Sequence, residues 1–525
     1  MRAAAALPRS GAARRHERLG VALLLAAVVV AYAPTLSNGL VWDDLLDIVA
    51  LPRGGGATAA ALGGPTGAYY RPAVFLGFAV EHAAWGTAAV GYHFTNLLLH
   101  LANTVLLARV ARRSGVSASA ALLGAAVFAL HPLQTEAVAY VSGRTDLLMT
   151  TGALLSCAAL LGTGPALARG VGAAAAGALA MLSKESGFAL VLLWPWLAWR
   201  HASGGRTRLA LVGPGLVTAL MLVAARLAAL PRPDLASTLP RLAAVGWAAL
   251  VYLRLLVWPG DLQVDRLTLL PAAPLALSVG VLALLAMLSI AAWGLSRRGA
   301  VGDWSAWTCA FYLPVANLLA LYPDIADRAL FTPEHNLYAP LAGLGVLAGL
   351  AAERARAGLR PAARRAATAT ALVVLASWGV RSAARGTVWH DEERLFGAAV
   401  AAGSASPRVW YNYGNALLQR GAVGEAAAAF EGAAERGPND AAVWANLGVA
   451  RQQQRAYDAA ERAYRRAAAL APRDAQIVEN LGTLYLARGD LDAARVAFTN
   501  ALRLDPQRPT ARQALTAIEP AAGRR

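Results

Sequence analysis

Runs of almost uncharged residues alternate with short polar connections along the first 385 positions, and the runs are long enough to cross a bilayer rather than to line one face of a soluble core. Apolar stretches fall at 20–36, 90–110, 117–131, 146–162, 168–182, 187–200, 207–229, 273–295, 304–321, 336–352 and 365–382. Measured against the usual ~20-residue span, they predict about eleven transmembrane helices. The run 242–258 carries Arg254 and would break the charge alternation, so it is expected to be a re-entrant or interfacial helix. The break Ser183-Lys184-Glu185-Ser186 separates two short spans.

After Arg385 the pattern changes. Gly414, Gly448 and Gly482 recur every 34 residues, as do Asn412, Asn446 and Asn480, Phe430, Tyr464 and Phe498, and Pro438, Pro472 and Pro506. This is the period of the tetratricopeptide repeat, a helix pair in which a small residue admits an aromatic ring and a proline closes the second helix. Three repeats are expected at 405–438, 439–472 and 473–506, followed by a capping helix to 519 and preceded by a linker at 386–404. The fold class is therefore all-α: a polytopic membrane domain, 1–385, with a first outer loop at 38–89, and a C-terminal α-solenoid. A solenoid surface suits an extended peptide, with Asn412, Asn446 and Asn480 as acceptor-binding candidates.

Composition agrees with the membrane reading: 57% of residues are hydrophobic and 15% charged. The net charge of +17 comes from arginine, much of it in short connections, and reads as topology rather than nucleic-acid binding. Arginines at 109–113, 169, 200–208, 297–298 and 354–365, with the basic N-terminus, define the cytoplasmic side. The N-terminal run is expected to be an uncleaved signal anchor. Cys157 and Cys309 both lie in apolar runs and offer no disulfide framework or zinc site.

This orientation gathers four polar stretches on the outer side: 38–89, 132–145, 183–186 and 322–335. Ionisable groups at a membrane boundary are costly, so each is a functional candidate. Asp43 and Asp44 follow the interfacial Trp42; one could take a proton from a hydroxyl while the other orients it or binds a cation, and two solvated loop acids are the plainer alternative. Tyr70 and Arg71, with Glu81 and His82, form a second group. His93, Asn96 and His100 share one helical face, more simply a polar seam than a metal site. His131, Glu136, Arg144 and Asp146 lie in HPLQTEAVAYVSGRTD; Arg144 either anchors a phosphate or snorkels. Lys184, the single lysine, either pairs internally with Glu185 or meets a phosphate as a point charge. Arg328, Glu334, His335 and Tyr338, with Asp324 and Asp327, complete the set. Acids for proton transfer, cations for phosphate and a lipid-embedded setting suit transfer of a polyprenyl-phosphate-linked group to a hydroxyl.

WDD after the first span, YRP, GYHFTNLLLH, HPLQTEAVAYVSGRTD, LSKE, a late loop ending LYAP, and C-terminal tetratricopeptide repeats occur here in one order. This ordered set resembles the TMTC-like transmembrane and tetratricopeptide-repeat O-mannosyltransferases of the GT-C class. The resemblance extends from about Trp42 to Pro506 and implies an integral-membrane enzyme. It implies transfer of a sugar, a hexose such as mannose, from a polyprenyl phosphate to a protein or peptide hydroxyl on the non-cytoplasmic face. It places the base at Asp43 or Asp44, and Arg71, Arg144, Lys184 and Arg328 at the donor phosphate. Glu334-His335-Asn336 stands where the family commonly has a basic residue before LY, which leaves His335 without an assigned role. A divalent cation (Mg or Mn) held largely through water stays open. Heavy use of arginine and alanine points to a GC-rich bacterium, hence an inner-membrane protein with periplasmic repeats. The alternatives are a lipid-linked oligosaccharide ligase or polymerase, and a non-catalytic membrane-anchored scaffold.

Overall fold

The computed structural model describes residues 11–49, 70–229, 241–269, 275–316 and 329–522. Their chain divides into two compact units, one of residues 1–262 with 268–391 and one of 263–267 with 392–525.

In the first unit every expected span holds a helix: Gly11–Tyr32, Ala89–Arg113, Ala118–Leu130, Arg144–Leu160, Ala166–Ser183, Leu190–His201, Gly205–Ala229, Leu275–Ser296, Ala300–Tyr312, Tyr338–Ala357 and Pro361–Gly386. Among the described residues, six helical segments are long and apolar enough to cross a membrane on their own; Ala118–Leu130 with Pro132–Ala139, bent by 55°, makes a broken seventh. The helices Leu190–His201 and Ala300–Tyr312 have 12 and 13 residues, short of the ~20 that a full crossing needs. The run expected to be re-entrant forms the short apolar helix Arg241–Val257. Leu267–Leu269 and Ala329–Phe331 pair as a two-stranded sheet.

Apolar side chains such as Leu282, Ile290 and Val373 point outward and are 67%, 70% and 68% exposed, as lipid-facing positions must be. Inside, small residues bring helices together. A Cβ on Gly345 would lie 2.5 Å from the Gly124 carbonyl oxygen, so the helices Ala118–Leu130 and Tyr338–Ala357 meet backbone to backbone.

The two ends of this unit carry different chemistry. At one end Arg112 meets Glu17 at 3.5 Å, Arg113 donates to the Ala158 carbonyl, Ser119 donates to Glu353, and the Trp304 indole donates to Ser114. Those are the helix ends whose arginines predict the cytoplasmic side. At the other end, side-chain bonds tie together residues 39–47, 71–81, 93–96, 136–146, 184–185, 226 and 335. The described parts of all four outer stretches thus converge.

The second unit stacks Glu392–Ala401, inside the expected linker, with the pairs Pro407–Gln419 and Val423–Arg436, Ala441–Gln453 and Tyr457–Leu470, and Ala475–Arg488 and Leu491–Leu504, then Pro509–Ala522. Ser406, Asp440 and Asp474 recur at the 34-residue interval, and each side chain accepts a backbone N–H at the start of the first helix of its pair. Cβ atoms on Gly414, Gly448 and Gly482 would approach the rings of Phe430, Tyr464 and Phe498 to 2.6, 2.5 and 2.7 Å, so the aromatic fills the gap between paired helices as the period predicts. Asp265, at φ +51, accepts hydrogen bonds from Ser406 and Arg408 and so ties residues 263–267 to the first repeat.

Candidate active site

The turn after the first span sets the site. Pro34 ends the regular helix, and the chain passes through Asn38, whose amide donates to the Gly386 carbonyl, into Trp42 at φ +58. A bulky side chain in this left-handed region costs about 1–2 kcal/mol. Here the Trp42 ring stacks on Tyr140 at 5.5 Å, and Tyr140 stacks on the buried Trp389 at 5.3 Å. The stack holds the next two residues in different surroundings. Asp43 is exposed, whereas Asp44 is fully buried.

Asp44 is enclosed by donors. Its Oδ1 lies 2.8 Å from both the Ser142 amide and the Ser142 hydroxyl, and its Oδ2 accepts from the Val41 amide at 3.2 Å. Asp47, one helical turn on, meets the same Ser142 hydroxyl at 2.9 Å. Burial outweighs these hydrogen bonds and pushes the Asp44 carboxyl up to about 7; burial likewise pushes Asp47 to about 6. Burial and the neighbouring carboxylates of Asp43, Asp44 and Asp47 push the Tyr140 phenol upward, which places all three acids around that ring.

A cationic group borders the acids. Arg71 donates to both oxygens of Glu185, at 3.3 and 2.8 Å, and Arg226 closes on Glu185 Oε1 at 2.5 Å while also donating to the Tyr70 carbonyl. One carboxylate therefore bridges two guanidinium groups at a partly exposed spot. Burial pushes Glu185 up, but Arg71 and Arg226 prevail and hold it at about 2. Arg71 also acts electrostatically on Asp47, which joins the basic and acidic groups.

The remaining expected residues are placed differently from one another. Arg144 is buried, with Nε donating to Asn96, Nη1 to Glu81 and Nη2 to the Tyr92 carbonyl. It lies over the Phe78 ring at 4.8 Å, inside the protein rather than at a surface open to a phosphate. Lys184 pairs with Asp146, not with its neighbour Glu185, and both are buried. Glu136 pairs with His335 at 2.9 Å, which gives His335 a structural partner. His93 contacts the Gly39 carbonyl, Asn96 donates to the Tyr140 carbonyl, and the two His100 nitrogens contact Tyr338 and the Ala129 carbonyl: a polar seam along one helix face. Tyr338 lies in the interior, not among the outer groups, because His100 and Asn103 both bond its hydroxyl. His131 contacts the Leu256 carbonyl and packs on Trp378. Arg328, Asp324 and Asp327 lie outside the described residues.

Three residues of this centre escape a reading of motifs: Asp47, Ser142 and Arg226. Asp47 sits three positions after Asp44, and Arg226 is the charge deep in the run 207–229, far from Arg208 at its start; both positions were available as signals. Ser142 carried none. No three His, Cys, Asp or Glu side chains among the described residues converge as a metal ligand set, and the Asp44 oxygens face N–H donors. In the repeats, Asn446 donates to Tyr411 and Asn415, and Asn480 accepts from Gln476; Asn412 is half-buried.

A family model for the tetratricopeptide repeat matches residues 393–441 and 446–509. Protein O-mannosyl-transferase Tmtc1 of Drosophila melanogaster is 37% identical over 153 residues, which is 27% of this chain and 18% of that protein. Protein O-mannosyl-transferase TMTC4 of Homo sapiens is 39% identical over 101 residues, 17% of this chain and 14% of that protein. The matched stretches thus span less than a fifth of these relatives. The crystal structure of ArnT from Cupriavidus metallidurans bound to undecaprenyl phosphate aligns over 87% of this chain and 80% of its own, at 16% identity and a TM-score of 0.40, a likeness too low for site comparison. The C-terminal unit is a tetratricopeptide-repeat domain, and part of the chain is similar in sequence to the TMTC protein O-mannosyl-transferases.

Proposed function

We propose that this protein is a GT-C-type membrane glycosyltransferase that moves a sugar, a hexose such as mannose, from a polyprenyl phosphate to a hydroxyl of a protein or peptide. The observation that carries the reading is the exposed Asp43 in the turn whose Asp47 feels both Asp43 and Arg71 of the Arg71–Glu185–Arg226 bridge, at one end of a helical bundle with lipid-facing sides. Asp43 takes the proton of the acceptor hydroxyl as its oxygen bonds to the anomeric carbon. The bond from that carbon to the phosphate oxygen breaks, and the polyprenyl phosphate departs with its charge met by Arg71 and Arg226. Asp44, buried and saturated with donors, positions the turn rather than touching the acceptor. Arg144 and Lys184 act one layer back, fixing the 142–146 and 184–185 segments through Glu81 and Asp146.

The repeats are assigned to the acceptor segment, with Asn412, Asn446 and Asn480 along the first helix of each pair. The arginine distribution supports a reaction and repeats on the non-cytoplasmic side, and the heavy use of arginine and alanine supports a bacterial inner membrane, which makes that side periplasmic.

Reconstitution with a radiolabelled polyprenyl-phosphate hexose and candidate peptides tests the reading. Asp43→Asn is expected to lower transfer by about 10²–10⁴-fold, the usual worth of a general base. Undiminished transfer by that variant removes the base assignment. Absence of transfer from every lipid-linked sugar favours the scaffold alternative.

A further inference from the structure

Two of the three acids in the 43–47 turn meet at one hydroxyl. Ser142 Oγ lies 2.8 Å from Asp44 Oδ1 and 2.9 Å from Asp47 Oδ2. A serine hydroxyl carries a single hydrogen, so it donates to one of these oxygens and not to both. If both carboxyls were ionised, the second contact would set lone pairs against each other in a buried place, where repulsion is poorly screened. One additional hydrogen removes the conflict: a carboxyl that keeps its proton donates to Ser142 Oγ, and Ser142 donates to the other carboxylate.

We propose that Asp44 and Asp47 share one proton through Ser142 near neutral pH, leaving Asp43 as the acid of the turn that serves as an anionic base. Charged and polar groups bear on the pair from several sides, some favouring the proton and some opposing it. Asp44 faces the amides of Val41 and Ser142, and feels Arg144 at a distance. Asp47 faces Asp43, which favours its protonated form, and Arg71, which opposes it. The Tyr140 phenol borders all three acids. The two carboxyls, pushed up by burial to about 7 and about 6, titrate as a pair rather than singly. Both values lie above the ordinary carboxyl range, so the proton is held on the acid side of neutrality and released as pH rises beyond it.

The consequence for catalysis rests on the transferase reading; the proton itself does not. A polyprenyl phosphate is anionic, and three ionised carboxylates beside it would repel it. Sharing a proton removes one of those negative charges while leaving Asp43 ionised to accept the acceptor's proton.

Infrared difference spectra of the full-length protein in detergent, taken between about pH 5 and about pH 9, read protonated carboxyls directly through their C=O stretch. The expected result is a band that fades as the pH passes neutrality. It should be absent in Asp47→Asn and in Asp44→Asn, because an amide supplies the missing hydrogen, and it should persist in Asp43→Asn. Ser142→Ala should shift the band, and Ser142→Thr, which keeps the hydroxyl, should retain it. A band that survives both Asp44→Asn and Asp47→Asn, or that disappears only in Asp43→Asn, overturns the proposal. Asp47 is partly exposed, so Asp47→Asn decides the matter even if the buried Asp44→Asn fails to fold. If the infrared pattern is as expected but Asp43→Asn transfers sugar at the wild-type rate, the shared proton stands and the base assignment falls.

Discussion

Lys184 Nζ lies 2.8 and 2.7 Å from the two carboxylate oxygens of Asp146, with both side chains sealed from solvent. The only lysine in the chain is thus spent on an internal ion pair between the 144–160 helix and the polar break before Leu190. Removing one partner strands a buried charge, at a cost of about 3–5 kcal/mol, whereas replacing both by apolar groups of similar size is far milder. Lys184→Met and Asp146→Leu should each lower the thermal unfolding midpoint in detergent, and the double variant should recover most of the loss. A Lys184→Met protein of wild-type stability with weakened donor binding would instead return the lysine to the phosphate.

The Arg71–Glu185–Arg226 bridge makes a prediction of opposite sign for its acid and its bases. Glu185 competes with any phosphate for the two guanidinium groups, and with its carboxyl held at about 2 it stays ionised throughout the physiological range. Arg226→Ala and Arg71→Ala should weaken polyprenyl-phosphate binding about 10- to 100-fold, in line with about 1.5–3 kcal/mol for a charge-assisted hydrogen bond. Glu185→Gln should strengthen it. Equilibrium binding of a fluorescent polyprenyl phosphate at constant salt is the measurement; tighter binding by either arginine variant would rule out a donor role for the bridge.

The ring stack beneath Asp43 should matter for rate as well as stability. Trp389 is fully buried and supports Tyr140, which supports Trp42 in its left-handed conformation. Trp389→Ala removes a large core side chain at about 3–5 kcal/mol and frees the turn that aims Asp43. Transfer by the folded fraction of Trp389→Ala should fall at least tenfold, while Trp389→Phe, which keeps a ring, should lose less. Equal rates for the two variants would mean that the stack does not position the base.

In the repeats, Gly448→Ala would drive a methyl to within 2.5 Å of the Tyr464 ring. Overpacking of this kind costs about 1–3 kcal/mol. Hydrogen exchange on the full chain should show faster exchange across 441–470 in the variant and little change in the 118–130 helix. Uniform protection would show that the helix pair can open to admit the methyl.

Much of the architecture was legible because it rests on periodicity. Every expected span holds a helix, since an apolar run satisfies its backbone within itself, although among the described residues only six helical segments and one bent pair are long and apolar enough to cross. The 34-residue spacing of Gly, aromatic and Pro also anticipates how Gly448 meets Tyr464. The site was legible only in outline: charge alternation places Arg71, Glu185 and the 43–44 pair at one end, but it cannot rank them.

Sequence alone determined the all-α class, the repeat domain, the resemblance to a transferase family and the end of the bundle where polar residues gather. Tertiary structure decided which polar groups face outward and which are consumed inside. Asp43 and Asp44 are adjacent and chemically identical, and they part only because the Trp42 conformation turns one carboxylate to solvent and the other onto the Ser142 amide. Lys184 and Arg144 look like phosphate ligands by type, and their pairing with Asp146 and Glu81 depends on contacts across 38 and 63 residues of chain. Hydrophobic spacing is a local, additive property of a sequence. Partner choice among buried charges depends on which side chains three-dimensional packing brings within hydrogen-bonding distance, and a linear pattern does not encode that distance.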